Sequence, residues 1–235
     1  YYSDISTASF YDSHIITAAG GGGMVCFHNA ALAQRARVMA NWGRQSTLFG
    51  FYEKSEDIKR RFSSKLHGIP YDAKFLFSEV GYNFQPLELA AAFGLEQLKR
   101  LPDFAKIRRH NFNEFIKFFK NYGQFFILAE EHPNTKANWL TFPLIIKKEA
   151  PFTRYEITKY LEECNIQTRP VMAGNILRQP GFEKVLKSEK PSAYPAANYI
   201  MERAFLVGCH QGLNARHLAY LKSAFSDFLE RYMKK

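Results

Sequence analysis

Apolar residues recur along this chain at two periods, one suited to strands and one to helices. Short, β-prone apolar runs at 5–10 (Ile-Ser-Thr-Ala-Ser-Phe) and 24–27 (Met-Val-Cys-Phe) flank a glycine run and predict two strands joined by a tight loop. Ala30 to Ala40, rich in Ala, Leu, Arg and Met, predicts a helix. From Gly43 to Ser78 the chain is polar and irregular, which predicts a long functional or mobile loop. Helical periodicity returns at Pro86, where Leu87, Ala90, Ala91, Gly94, Leu95 and Leu98 share a face. Pro102-Asp103 reads as a break. A second amphipathic helix follows through Phe104, Ile107, Phe112, Phe115, Ile116 and Phe119, and the domain boundary is placed around it, separating 1–108 from 109–235.

Beyond Phe119, strand and helix patterns alternate. Trp139 to Ile146 predicts a strand, and Thr153 to Cys164 a helix that Thr153 and Glu156 can close with a capping box. Ile166 to Thr168 predicts a short strand, Ala193 to Arg203 a helix, and Phe205 to Val207 another strand. Ala215 to Tyr232 predicts a closing helix with Leu218, Leu221, Ala224, Phe225, Phe228 and Leu229 on its apolar face. This alternation predicts a small α/β domain. No internal repeat or Ser/Gly-rich linker interrupts it.

Composition narrows the class. Of 235 residues, 46% are apolar and 23% charged, which excludes wholesale disorder. No run of eighteen apolar residues and no basic-apolar leader occurs, so the expectation is a soluble, cytoplasmic chain without a membrane partner. The net charge of +10 is spread over pairs and triplets (Lys59-Arg60-Arg61, Lys99-Arg100, Arg108-Arg109, Lys147-Lys148, Lys234-Lys235) beside helical pattern. These read first as solvated helix faces, and otherwise as a basic cleft for a phosphorylated small substrate. No nucleic-acid partner is expected. Cys26, Cys164 and Cys209 lie too far apart for a disulfide framework or metal-ligand spacing and read as small core residues. His28, His67, His110, His132, His210 and His217 show no pairwise ligand spacing, and no metal site is expected.

The chemistry concentrates in 9–25, Ser-Phe-Tyr-Asp-Ser-His-Ile-Ile-Thr-Ala-Ala-Gly-Gly-Gly-Gly-Met-Val. It offers the Ser9 hydroxyl, the His14 imidazole five residues on, and four glycines that let the backbone approach another group closely. Without its neighbours, His14 would read as an ordinary turn or core histidine. No Lys-Ser/Thr follows to make a P-loop, and no Gly-x-Gly-x-x-Gly joins a strand to a helix.

As a whole this segment resembles the lysine-bearing loop of the DegT/DnrJ/EryC1/StrS sugar aminotransferase family, in which Ser-Phe-aromatic precedes a turn, a lysine and a Gly-Gly strand. The resemblance implies an α/β fold, the C-terminal part of an aspartate-aminotransferase-like type I pyridoxal-phosphate fold: the end of the large domain plus the small α/β domain. It implies pyridoxal 5'-phosphate or pyridoxamine 5'-phosphate as cofactor, with Ser9 binding its phosphate. At the lysine position stands His14. An imidazole cannot hold an aldehyde covalently as a lysine amine does, but it moves protons near neutral pH. Within the family that exchange marks the ketosugar 3-dehydratases. By resemblance, a nucleotide-linked 4-keto-6-deoxyhexose condenses with the cofactor amine. His14 then takes a proton from the cofactor's methylene carbon, and the C3 hydroxyl leaves. The implied pathway is that of dideoxysugars and lipopolysaccharide O-antigen.

Gly81-Tyr82-Asn83-Phe84-Gln85-Pro86, continuing to Leu98, is similar to the family's Gly-x-Asn-aromatic-Arg block. There the asparagine reaches a neighbouring subunit's cofactor phosphate, which implies a homodimer and that role for Asn83; the family's arginine is Gln85 here. Read alone, Asn83 would be a turn residue before a helix. Trp42-Gly43-Arg44 and the stretch from Thr168-Arg169-Pro170 to Gly174-Asn175-Ile176-Leu177-Arg178 resemble the dehydratase branch. The resemblance implies substrate contacts from Asn175, Arg178 and Arg169, with a structural role equally open for Arg169. An arginine fork suits a diphosphate. No cysteine follows Trp42-Gly43-Arg44, which points to the branch without an iron–sulfur cluster, regenerated by an amino donor such as glutamate. An ordinary ketosugar aminotransferase and a non-catalytic basic domain are the competing readings.

Overall fold

The computed structural model describes residues 3–50, 57–182, 185 and 188–233. Part of the expected 43–78 loop (51–56) and the Lys234-Lys235 pair lie outside these. The chain divides into two compact units, Tyr1–Lys99 and Arg100–Lys235.

In the first unit, β1 (Ile5–Ser9) and β2 (Gly23–Phe27) form an antiparallel hairpin in which Ile5 faces Phe27 and Ser9 faces Gly23. Helix α1 (Ala30–Ala40) starts where the Asn29 carboxamide oxygen accepts the N–H groups of Ala31 (2.9 Å) and Leu32 (3.1 Å), so two otherwise orphaned donors are satisfied. The segment expected to be an irregular loop is more ordered than its composition predicts. It holds a 3₁₀ turn (Gln45–Phe49), the short α2 (Ile58–Arg61) with Arg61 paired to Asp72, and a hairpin of β3 (Ser64–Leu66) and β4 (Ile69–Tyr71). That hairpin turns on His67 (φ 49) and Gly68 (φ 84), both left-handed as a type I′ turn requires. Histidine, where asparagine is the usual signal, hid it from the sequence. Cys26, expected in a core, is exposed on β2.

Helix α3 (Glu88–Phe119) contains Pro102, so the break expected at Pro102-Asp103 does not occur. Proline forfeits the N–H that would reach the Leu98 carbonyl, and the apolar periodicity on either side keeps both flanks helical. Both the expected 108/109 boundary and the division at Lys99/Arg100 fall within this helix.

The second unit carries a four-stranded antiparallel sheet, ordered β5 (Phe126–Leu128), β6 (Thr141–Ile146), β8 (Ala204–Gly208), β7 (Thr168–Pro170). The three-residue β5 had no counterpart in the sequence reading. It ends at Leu128 opposite Leu144, one residue short of Pro143, where a ladder donor is missing. Strand β6 buries Phe142, Leu144 and Ile146 on one face. Helix α4 (Arg154–Glu163) begins with the expected Thr153–Glu156 capping box. It ends where Asn165 adopts φ 57 and the Ile166 N–H returns to the Leu161 carbonyl at 2.8 Å, a Schellman closure. Ile166 therefore belongs to the helix end, and β7 starts later than its expected 166–168 position. Helices α5 (Pro195–Arg203) and α6 (Ala215–Met233) complete the unit.

Its core is aromatic. Fully buried Phe119 stacks on Phe142 with centroids 5.3 Å apart and meets Phe225 edge-on at 4.8 Å. All six residues read as the apolar face of the closing helix are buried on α6. Arg108, read as part of a solvated face, is instead fully buried; its Nε donates to Gln211 Oε1 at 2.7 Å. Neighbouring Asn111 donates to the His210 carbonyl at 3.0 Å. No helix among the described residues is long and apolar enough to cross a membrane.

On the surface of this unit, Glu114 of α3 accepts from Lys222 of α6 and from Lys117, each at 3.0 Å. The Lys222 hydrogen bond, then that of Lys117, lowers its carboxyl to about 2. Because the folded value lies below the unfolded one, this contribution is complete above about pH 4.5 and is lost as pH falls toward 2. Glu114→Gln is therefore expected to lower stability at pH 7, where the contribution is complete, and to converge on the parent as pH falls toward 2, which flattens the acid limb between those values, as read by denaturant midpoints across that range.

Candidate active site

The chain leaves the sheet at Ser9 and returns at Gly23. The excursion closes through Phe10 N–H to Gly22 O, Ala18 N–H to Phe10 O and His14 N–H to Tyr11 O, each 3.0 Å. Ser9 Oγ accepts the Tyr11 N–H at 3.4 Å, which leaves its own O–H proton to donate elsewhere. His14 is exposed beside Tyr11, with ring centroids 6.2 Å apart, and its imidazole makes no hydrogen bond to a described residue.

Asn83 sits in a second, rigid segment of the same unit. Tyr82 N–H reaches Met39 O at 2.7 Å, Phe84 N–H reaches Ala40 O at 2.9 Å, and Trp42 N–H returns to Tyr82 O at 2.9 Å. Asn83 and Asn41 form an antiparallel bridge. The Asn83 side-chain oxygen accepts the Gln85 N–H at 3.3 Å, so its amide N–H₂ remains directed to no described residue. Gln85 donates to Ala40 O at 3.4 Å. The crossing beneath is closely packed: a Cβ on Gly43 (φ 80) would stand 1.8 Å from Glu79 O, and one on Gly81 would stand 2.4 Å from Gly43 N. Arg44 then lies over the Trp42 ring at 4.8 Å and the Phe77 ring at 5.8 Å, a cation–π clamp with its Nε buried and without a hydrogen bond.

A cleft of this unit, about 1200 Å³, is lined by Ala8, Gly21–Met24, residues of α1, Tyr82 and Phe84 to Leu87, and among the described residues lining it only Arg37 is charged. Ser9, His14 and Asn83 do not line it. An apolar cleft with one cation is poor chemistry for a nucleotide.

In the second unit, Arg169 on β7 donates to the Thr168 carbonyl at 2.7 Å. Glu162 accepts both the N–H (2.6 Å) and the hydroxyl (2.8 Å) of Thr168; those bonds, and to a lesser degree Arg169, hold its carboxyl below the usual range. Asn175 is buried and caps a 3₁₀ turn, accepting from Leu177 N–H at 3.1 Å. Asn175 and Arg178 are brought together on Asn198 of α5, at 2.8 and 2.7 Å, and Arg169 shares no hydrogen bond with them. Asn198 was missed by sequence reasoning, and its only signal was a polar residue inside an amphipathic helix. No group of three or more His, Cys, Asp or Glu among the described residues could hold a metal.

Comparison with known proteins places this geometry. Residues 1–226 match the DegT/DnrJ/EryC1/StrS aminotransferase family, and the chain belongs to it. It is 33% identical over 229 residues to the lipopolysaccharide biosynthesis protein RfbH of Salmonella typhimurium, covering 97% of this chain and 52% of that protein. It is 31% identical over 207 residues to a GDP-4-keto-6-deoxy-D-mannose 3-dehydratase of Yersinia pseudotuberculosis, covering 87% and 49%. A crystal structure of GDP-4-keto-6-deoxymannose-3-dehydratase with a trapped PLP-glutamate geminal diamine superimposes with a TM-score of 0.74 at 25% identity, covering 95% and 55%. The chain thus spans about half the length of the curated relatives it matches, and its α/β architecture is that of the aspartate-aminotransferase-like fold. Pyridoxal-phosphate chemistry fits the residues present: Ser9 and Asn83 each keep a neutral donor facing outward, as a phosphate requires.

The Gly43 crossing generates a stability prediction. Gly43→Ala is expected to cost about 3 kcal/mol or more, since a left-handed φ and a backbone clash add. Gly20→Ala, equally left-handed (φ 94) but with nothing within 4 Å, should cost about 1 kcal/mol. Chemical denaturation of the two variants checks the difference.

Proposed function

We propose that this chain is the cofactor-loop and C-terminal part of a pyridoxamine/pyridoxal-phosphate-dependent nucleotide-sugar 3-dehydratase. It would remove the C3 hydroxyl of a nucleotide-linked 4-keto-6-deoxyhexose in dideoxysugar and lipopolysaccharide O-antigen synthesis. The observation that carries this reading is His14, standing exposed on the family's cofactor turn where a lysine would make an aminotransferase. When bound, the cofactor supplies a primary amine and an electron-withdrawing pyridine ring.

The chain's own residues supply the rest. His14 offers a ring nitrogen that can take up and give back a proton, and cannot form the stable covalent link to an aldehyde that a lysine forms. Ser9 donates its hydroxyl to the cofactor phosphate. Asn83, on its rigid segment, donates to the cofactor phosphate of a second subunit in a homodimer. Arg178 binds the sugar diphosphate through its two terminal nitrogens, Asn175 shapes the loop that presents it, and Arg169 adds positive charge nearby in sequence. The absence of a cysteine after Trp42-Gly43-Arg44 favours a cluster-free cycle in which an amino donor such as glutamate restores the amine. The names of the relatives support this reading for the whole protein, and an ordinary ketosugar aminotransferase is the reading that His14 opposes.

The test uses the whole protein with pyridoxamine phosphate and GDP- or CDP-4-keto-6-deoxyhexose, following loss of the 3-hydroxyl. His14→Asn should slow turnover by about 10²–10⁴-fold, the usual contribution of a general acid–base group, while the cofactor absorbance is retained. Turnover at the parental rate would sink the assignment. A borohydride-reducible covalent adduct with added pyridoxal phosphate would favour the aminotransferase.

A further inference from the structure

The loop from Val171 to Gln179 is fastened to one face of α5 at two successive points. At the first, Gly174 adopts φ 64 and its backbone lies so close to Met201 that a Cβ would stand 2.6 Å from the Met201 Cβ. At the second, Asn175 and Arg178 of the loop, with Pro191 ahead of α5, converge on Asn198, one helical turn away. Asn198 Oδ1 accepts from Asn175 Nδ2 at 2.8 Å and from Arg178 Nε at 2.7 Å. Asn198 Nδ2 donates to the Pro191 carbonyl at 2.8 Å, which also takes Asn175 Nδ2 at 3.2 Å.

Both polar atoms of the Asn198 side chain are engaged within the protein, and the contact that links it to an exposed cation is the one to Arg178. That residue is held twice: its N–H bonds Asn175 O at 3.0 Å, closing the 3₁₀ turn (Ile176–Arg178), and its Nε is fixed by Asn198. Arg178 is exposed, and its Nη1 and Nη2 make no hydrogen bond to a described residue. The edge of the guanidinium left over is the two-nitrogen edge that matches two oxygens of a phosphate, and a donor fixed before the ligand arrives loses less freedom on binding.

We infer that Asn198 is a positioning residue for anion recognition: it sets the Arg178 guanidinium in the orientation that takes a nucleoside diphosphate. This rests on the substrate role given to Arg178 above. The two ideas fail separately in a double-mutant cycle on the whole protein, with GDP binding measured by calorimetry and the cofactor absorbance and unfolding midpoint recorded alongside. Arg178→Ala is expected to weaken GDP binding by about 30-fold and Asn198→Ala by about 10-fold, with the double variant no weaker than Arg178→Ala alone. Equal loss from Asn198→Ala in both backgrounds would mean general loop support, and would overturn the inference. So would parental affinity in Asn198→Ala. If Arg178→Ala binds GDP like the parent, the substrate role of Arg178 falls and this inference with it.

Should Asn198→Ala not fold, Asn198→Asp keeps the acceptor oxygen and places a negative charge against Arg178. The expected result is a GDP affinity loss at low salt that shrinks as salt screens the pair. Unchanged affinity at low salt would overturn the inference.

Discussion

The first unit is organised by a close crossing of two backbones, Gly43 against Glu79 and Gly81 against Gly43, which no side chain larger than hydrogen permits. Among its described residues only Ala18, Val38 and Ala73 are buried apolar groups, so within this chain hydrophobic burial contributes little there. Order comes from backbone hydrogen bonds that the close approach allows, linking Met39 and Ala40 to Tyr82 and Phe84. Asn83 sits between those two tethered residues and is held in register with Asn41 by the same ladder. The aromatic clamp on Arg44 grows from the same corner, since Trp42 itself adopts φ 56.

The second unit works by the opposite means. A large apolar cluster, rich in phenylalanine and reaching from Phe112 on α3 to Leu229 on α6, provides the bulk of its stabilisation by removing apolar area from water. Over that core, polar contacts do the positioning: Asn111 and Arg108 anchor the 209–214 loop, and Asn198 anchors the loop that carries Arg178. A rigid core bearing loops with specific polar anchors is the usual arrangement for binding sites. Its value here is that an exposed arginine is held in one orientation without itself being buried.

Much of this was legible from residues alone where local physics decides. The helix over 30–40, the Thr153–Glu156 box and the α6 apolar stripe depend on neighbours within a few positions, and the structure reproduces them. What went unread depended on partners far away in sequence. Helix α3 passes Pro102 because flanking turns on both sides remain helical, and β5 exists because β6 offers it an edge. Arg108 is buried because Gln211, 103 positions on, receives its Nε.

Sequence alone determined the chemistry available: a hydroxyl, an imidazole in place of a lysine, a glycine run, and arginines among turn residues, in an order that belongs to one family. Those are identities and spacings, and they survive without coordinates. Only tertiary structure decided which donors are left over for a ligand. A side chain's vacancy is set by every group within 3 Å of it, and those groups come from elements that sequence separation does not rank. Hence Ser9 and Asn83 could be named from the chain, whereas Asn198, the residue that orients Arg178, emerged only once α5 lay against the loop.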